Sequence, residues 1–476
     1  MTHRSLADVV KAYDVRGIVP DQLDEEVARA LGAAFAEVVL LPEGADGALV
    51  GHDMRESGPA LVEAFGHGVR SRGLEVTVIG LCSTDGLYYA SGDLGLPGAM
   101  FTASHNPARY NGVKLCRGGA APVGRDSGLT AIRELAERML AGEVSDPDVR
   151  TGARGERDLL PDYAAFLRGL VDLSGIRPLR VVVDAGNGMA GLTVPAVLED
   201  AAGLAPLPLS VERLYFELDG TFPHHEANPL EPENLRDLQA AVRAHGADLG
   251  LAFDGDADRC FVVDERGEPV SPSAITALIA RREVARAVAE GATPGDIAVV
   301  HNLICSAQVP QVVTAAGARP VRTRVGHSFV KAEMARNAAV FGGEHSAHYY
   351  FRDFWYADTG MLAAMHVLAA LGEQDGPLSA LMADLSRYHA SGEVNSTVAD
   401  VEGATEAVLA WGREQGADVD RLDGLTLRRA GAGEEAMWWL NVRPSNTEPV
   451  LRLNVESDDA GTMARVRDTV LDIIRR

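Results

Sequence analysis

Four short stretches of the 476-residue chain place reactive side chains close enough to act together. The first is Thr102-Ala103-Ser104-His105-Asn106-Pro107, followed by Tyr110-Asn111-Gly112-Val113-Lys114. The apolar run before it reads as a strand, which puts Ser104 at the carboxyl edge of a sheet, where α/β folds bind ligands. There the hydroxyl has an acid or base beside it in His105 and a phosphate-binding cation in Lys114. The second stretch is Asp254-Gly255-Asp256-Ala257-Asp258-Arg259. Alternating carboxylates in a tight loop converge hard oxygens on one point, which suits Mg²⁺. Without a cation three such aspartates repel one another. The twelve-residue pattern and closing Glu of an EF-hand are absent.

The third stretch, Gly342-Gly343-Glu344-His345-Ser346-Ala347-His348, sets a carboxylate and a hydroxyl two residues apart. On an extended segment both point the same way, a suitable pair for sugar hydroxyls. The fourth is Arg443-Pro444-Ser445-Asn446-Thr447-Glu448-Pro449, with Arg452 downstream. Its side chains, with backbone amides, offer many donors to an anion, and arginine grips phosphate in bidentate fashion. Taken singly, the first, third and fourth are also ordinary polar turns. Apolar strands on both sides set the aspartate loop apart from a solvated acidic loop.

The elements that must position these loops are readable from periodicity. Apolar strands at 48–53, 74–80, 179–183, 248–253, 260–263 and 296–301 alternate with helical patterns such as 59–71, 275–290 and 307–316. Such interleaving predicts α/β units with sheets covered on both faces. The last hundred residues differ: strands at 424–429, 436–442 and 449–455 follow one another, then a helix over about 460–475. This predicts an α+β domain with an antiparallel sheet. Polar stretches near 141–158 and 371–377 read as linkers.

The length predicts about three or four domains of roughly 100–200 residues. A formal net charge of −24 argues against a broad nucleic-acid footprint but leaves room for a few cations along a cleft. Cys82, Cys116, Cys260 and Cys305 are widely spread, which suits a reducing cytoplasm. No apolar run reaches the roughly 18 residues of a membrane span, and no apolar segment follows the N-terminus as a secretory signal would require.

Together and in this order, the four motifs resemble the α-D-phosphohexomutase superfamily, in its phosphomannomutase/phosphoglucomutase branch. The similarity runs from Lys11-Ala12-Tyr13-Asp14-Val15-Arg16-Gly17 to Arg452. It implies four domains around a central cleft: three related α/β units with mixed sheets and a C-terminal α+β domain with an antiparallel sheet. We expect them at 1–150, 151–262, 263–375 and 376–476, bearing the phosphoserine, the metal, the sugar site and the phosphate site in turn. The resemblance makes Ser104 the phosphoserine. Its phosphate would share Mg²⁺ with Asp254, Asp256 and Asp258. Arg259 would sit beside the serine, and His105, Lys114 and Arg16 around the reacting hydroxyl. Tyr13, Gly326, His327, Glu344 and Ser346 would meet the sugar. Arg443, Ser445, Asn446, Thr447 and Arg452 would hold the far phosphate.

The implied activity interconverts mannose 1-phosphate and mannose 6-phosphate through a hexose 1,6-bisphosphate, with glucose phosphates as further substrates. The implied partner is a small hexose phosphate, with no nucleic acid or membrane, and the enzyme is cytoplasmic, a monomer or a dimer. Glucose or glucosamine phosphates as main substrates are the alternatives on this fold. A phosphoglucosamine mutase usually reads Ser-Gly-Thr-Glu-Pro in the last loop, where this chain has Ser445-Asn446-Thr447. A non-catalytic sensor would need no phosphoryl carrier, and a simple phosphatase would release phosphate instead of isomer. Two departures stand out. Ile304 replaces a lysine that some bacterial members carry in the third domain, and Ser83-Thr84-Asp85 replaces a commoner Thr-Pro pairing.

Overall fold

The computed structural model describes residues 4–11, 13–145, 147–431, 433, 435–444 and 450–476. Four sheets organise them. The first runs Val15–Ile18, Tyr110–Cys116, Gly98–Phe101, Gly47–His52, Glu75–Leu81, Arg154–Glu156. Its inner strands are parallel, and Tyr110–Cys116 is antiparallel to both neighbours. The second sheet orders Pro269–Val270, Cys260–Asp264, Leu249–Phe253, Leu179–Asp184 and Leu209–Leu214. The third orders Arg319–Thr323, Ala298–Asn302, Phe341–Gly343, Tyr349–Phe351 and Ala357–Asp358. Both are mixed, so three α/β units precede an antiparallel sheet built on Leu425–Arg429, Trp438–Pro444 and Val450–Ser457.

Three expected boundaries move. The predicted linker at 141–158 contains the strand Arg154–Glu156, which extends the first sheet beyond residue 150. A boundary at 262 would cut Cys260–Asp264, whose hairpin with Pro269–Val270 keeps the second sheet together to residue 270. A boundary at 375 would assign the helix Leu378–Met382 to the fourth unit. Instead Ser379 donates to Glu265, and the fourth sheet begins at His389–Ala390.

The first three units form one body. A continuous core runs from the first unit's helix Thr84–Leu94 through the second and third units. Tyr89, Phe166 and Trp355, one from each unit, meet there, and Phe166 stacks on Trp355 at 5.2 Å. The helix Gly360–Gly372 is buried along its whole length, as a sequence apolar all round except for His366 demands. Each such Leu, Val or Phe contributes roughly 1.5–3 kcal/mol on burial. The fourth unit has its own core around Leu427, Leu440, Leu453 and Val470. It touches the third unit through polar contacts: Glu456 accepts from the Ala307 amide at 2.8 Å, and Asp423 accepts from the Val325 amide at 3.0 Å. A separate core joined by polar contacts suits a unit that moves relative to the rest.

Candidate active site

The strand Gly98–Phe101 ends at the loop bearing Ser104, which is non-glycine yet has φ +49°. Such a conformation is costly unless its surroundings enforce it. Here the Ser104 amide donates to Thr102 Oγ1 at 2.8 Å. Below the loop lies Arg55, 2 % exposed. Its guanidinium donates to the carbonyls of Ser104, Asn106, Pro107 and Tyr110 and to Asp53. The serine is thus held from beneath by a buried cation.

The aspartate loop is a tight turn between Leu249–Phe253 and Cys260–Asp264, both fully buried. Gly255 permits the close approach of the two loops, since a Cβ there would lie 2.5 Å from the Ser104 carbonyl oxygen. The Ser104 hydroxyl consequently donates to Asp254 Oδ2 at 2.8 Å. Asp254, Asp256 and Asp258 are buried with carboxylate oxygens within 4.8 Å of one another. Oδ1 of Asp256 and of Asp258 are buried and, among the described residues, have no hydrogen-bond partner. An all-oxygen set with unsatisfied buried acceptors fits a hard divalent cation. Lys114 donates to Asp256 Oδ2 at 2.7 Å and to Asp258 Oδ2 at 2.6 Å. Burial pushes Asp254 upward despite Arg259 beside it. Burial also opposes the Asp256 charge, but the Lys114 ammonium and the Thr84 hydroxyl outweigh it and hold that carboxyl low.

Arg259 forks between Asp254 and the serine, donating to Asp254 at 2.9 Å and to His105 Nδ1 at 2.6 Å and reaching Ser104 Oγ at 3.5 Å. Burial first, then Arg259 and Arg16, push His105 well below its usual range, so it is neutral near pH 7. Arg16 bonds Asp14 at 2.8 Å and also Asn106 and the Ala103 carbonyl. The expected group of Ser104, His105, Arg16, Lys114, Arg259 and the three aspartates is therefore brought together.

The third unit faces this group. Gly326 has φ +130°, and a Cβ on it would sit 2.9 Å from the Tyr13 hydroxyl. Tyr13 packs edge-on against His327 at 5.2 Å and against Phe329 at 6.1 Å. Burial, then Lys331, pushes His327 down to about 3. Glu344 and Ser346 do not lie on an extended segment as expected. The strand ends at Gly343, the Ala347 amide donates to the Glu344 carbonyl, and Ala347 has φ +66°, so the pair straddles a turn. Glu344 is buried, accepting from the Gly326 amide, Asn302 Nδ2 and the Tyr350 hydroxyl. Ser346 Oγ lies 3.1 Å from His348 Nδ1.

In the fourth unit Arg443 and Arg452 are paired across neighbouring strands. Ser445, Asn446 and Thr447 lie outside the described residues. Ile304, where the resemblance leads one to expect a lysine, is a buried apolar side chain.

Sequence reasoning missed several members. His348 ends the third motif with no role evident from its spacing, yet its Nε2 lies 3.7 Å from Asp258 and 3.9 Å from Asp358. Lys331, buried on the helix His327–Asn337, pairs with Asp358 at 2.8 Å and stands 3.9 Å over the Tyr88 ring. Asp85 accepts from Ser83, from Tyr163 at 2.8 Å and from Thr359 at 2.6 Å, joining three units. Its neighbour Thr84 donates to Asp256 at 2.6 Å, so the departure at Ser83-Thr84-Asp85 reaches the aspartate loop. Lys331 and Asp85 are buried charges, and burial of single charges is not readable from periodicity.

Comparison with known proteins agrees with this architecture. The family described as phosphoglucomutase/phosphomannomutase matches in four parts. Its alpha/beta/alpha domain I spans residues 7–141, domain II 161–267 and domain III 271–388, and its C-terminal domain spans 393–473. A protein of Xanthomonas campestris named for phosphohexose mutases is 40 % identical over 471 residues, covering 98 % of each chain. A phosphomannomutase of Salmonella typhimurium is 39 % identical over 452 residues, 94 % of each chain. A crystal structure of a phosphoglucomutase/phosphomannomutase family protein from Burkholderia thailandensis superposes with a TM-score of 0.84 at 31 % identity, covering 98 % of this chain and 96 % of that one. Matched in all four domains and along nearly its whole length, the chain belongs to the phosphoglucomutase/phosphomannomutase family.

Proposed function

We propose that the protein interconverts mannose 1-phosphate and mannose 6-phosphate, with glucose phosphates as further substrates, by carrying a phosphoryl group on Ser104. One observation carries this reading. Ser104, 4 % exposed, bonds Asp254 through its hydroxyl across 150 residues of sequence, within an acidic triad that fits a divalent cation. A sensor needs no such arrangement.

In the forward direction O6 of hexose 1-phosphate attacks the phosphoryl group on Ser104. The O6–P bond forms, the Oγ–P bond breaks, and the O6 proton passes to a base. The 1,6-bisphosphate turns round, its O1 phosphoryl group returns to Ser104, and hexose 6-phosphate leaves. Phosphoryl transfer needs alignment and charge neutralisation above all. Mg²⁺, bound by Asp254, Asp256, Asp258 and a serine-phosphate oxygen, would supply part of that neutralisation. Arg259, Lys114 and Arg16 supply the rest from this chain. Two carboxylates face His348 Nε2, so it is the imidazole best placed to take and return a proton. His105, accepting from Arg259, steadies the serine.

Gly326, His327, Glu344 and Ser346 orient the sugar, with Tyr13 closing over the loop. Arg443, Arg452 and the segment 445–447 anchor the phosphate that is not reacting. That anchoring orients the reacting end and is worth far more than simple affinity. Four free cysteines suit the reducing cytoplasm, where we place the enzyme as a monomer or a dimer.

The test is Ser104→Ala. The wild-type protein should carry the mass of one phosphoryl group and, with Mg²⁺ and a trace of hexose bisphosphate, isomerise mannose 1-phosphate. The variant should fold normally, lack the mass increment and lose turnover. Near-normal turnover would sink the proposal, and release of inorganic phosphate in place of isomer would identify a phosphatase. Comparing kcat/KM for the 1-phosphates of mannose, glucose and glucosamine ranks the sugars.

A further inference from the structure

Glu393 stands at the entrance to the fourth unit, immediately before the strand Val394–Thr397. That strand pairs with Val450–Ser457, placing Asn395 opposite Arg452, and Arg452 in turn lies opposite Arg443. Two arginines directly opposed across a sheet repel each other. Alternation puts Glu393 on the face of Asn395, and its carboxylate meets both cations. Oε2 accepts from Arg443 Nη2 at 3.2 Å, and Oε1 lies 3.4 Å from Arg452 Nη1. Arg443 is buried, and among the described residues the buried Arg452 Nε has no hydrogen-bond partner, so the pair keeps donor capacity for a further anion. The Glu393 side chain is 31 % exposed and has room to turn away. Ser391 is bonded to Val455 in both directions, so the segment travels with the fourth sheet and not with the sugar domain.

We propose that Glu393 is a built-in competitor for the phosphate anchor. Its carboxylate gives the two arginines a partner when no phosphate is present, and it weakens the hold on a phosphate that is. The inference rests on the reading of Arg443 and Arg452 as that anchor. It also answers a requirement of the proposed cycle. The bisphosphate must leave the anchor, turn round and re-enter with its other phosphate between two half-reactions. Two arginines without a counter-charge would hold a dianion too firmly for that exchange. A carboxylate on the same two guanidinium groups supplies the alternative partner as the phosphate departs.

Calorimetry tests the idea in the Ser104→Ala background, where no turnover occurs. The probes are mannose 6-phosphate and, carrying no sugar, inorganic phosphate. Glu393→Gln should lower Kd for both by about tenfold or more, since a unit charge about 5 Å from a phosphate changes binding roughly fourfold at the dielectric of bulk water and more than a hundredfold at that of a protein surface. Glu393→Asp, which keeps the charge, should bind like the parent. In the Ser104-intact enzyme Glu393→Gln should lower kcat together with KM, because release slows. A carboxylate that merely braced the arginines would raise Kd when neutralised. Unchanged or weaker binding in a folded Glu393→Gln protein overturns the inference. Arg443→Ala separates the two claims. If it weakens both probes the anchor stands whatever Glu393 does, and if it leaves both unchanged the anchor reading itself fails.

Discussion

Arg55→Lys should disable the enzyme without unfolding it, although residue 55 touches no reacting group. The arginine uses all five of its N–H donors. Nε goes to Asp53 at 3.2 Å; Nη1 goes to the carbonyls of Pro107 at 3.0 Å and Tyr110 at 2.8 Å; Nη2 goes to those of Ser104 at 2.9 Å and Asn106 at 2.6 Å. Lysine has three donors in a different geometry, so at least two acceptors lose their partner. An orphaned buried acceptor costs about 1–3 kcal/mol, and two of them, one near solvent, cost about 2–4 kcal/mol. That is smaller than the roughly 5–15 kcal/mol of a folded domain, so the fold survives. The loop does not survive unchanged, because Ser104 at φ +49° relaxes once its carbonyl is free. A displacement of about 1 Å of the phosphoryl carrier costs on the order of a hundredfold in rate. The assay is kcat/KM beside amide exchange over 102–112. We expect a drop of about a hundredfold with faster exchange confined to that loop. Arg109→Lys, at an exposed residue whose guanidinium lies over Tyr110, is the control and should be near neutral. Wild-type kcat/KM within threefold and unaltered exchange in Arg55→Lys would refute the clamp.

Three further outcomes follow from the same geometry. Burial pushes Asp85 up to about 6, against 3.8 for an exposed aspartate, so the folded state holds its proton more tightly than the unfolded chain. The stabilisation is complete below pH about 3.8 and is lost as pH rises through about 6, an upper bound of roughly 3 kcal/mol. Urea midpoints of wild type relative to Asp85→Asn should therefore fall between pH 4 and 7, and a rising difference would contradict the sign. Gly326→Ala should strain φ and strike Tyr13, lowering kcat/KM about tenfold or more with an unchanged far-ultraviolet spectrum; full activity would show that the loop yields freely. Lys114 shares Asp256 and Asp258 with any bound cation. Mg²⁺ should raise the unfolding temperature of Lys114→Met by more than that of wild type, and an equal or smaller shift would mean that lysine and metal do not compete.

The readable and unreadable parts of this protein divide by range. The strand–helix alternation was legible because apolar periodicity is local, and the serine and aspartate loops because their residue types are dense within six positions. The strand Arg154–Glu156 was not, since all three residues are exposed and carry no apolar signal. The turn at Glu344–Ala347 reads as extended from sequence for a related reason. Ala347 adopts a left-handed φ that no local signal announces, and what enforces it lies around it: Glu344 accepts from Asn302, Gly326 and Tyr350. The residues whose part in the site the sequence does not disclose share one property: each is a charge buried by a partner distant in sequence or in another unit. Arg55 reaches carbonyls about fifty residues away, Asp85 accepts from Tyr163 and Thr359, and Lys331 stands over Tyr88. Burying a lone charge is unfavourable enough that each must have been met by such a partner. The rule inverts usefully. In a chain of alternating apolar elements, a charge at a position the pattern marks as buried implies a polar group brought in from elsewhere, and in this fold those groups gather around the aspartate loop.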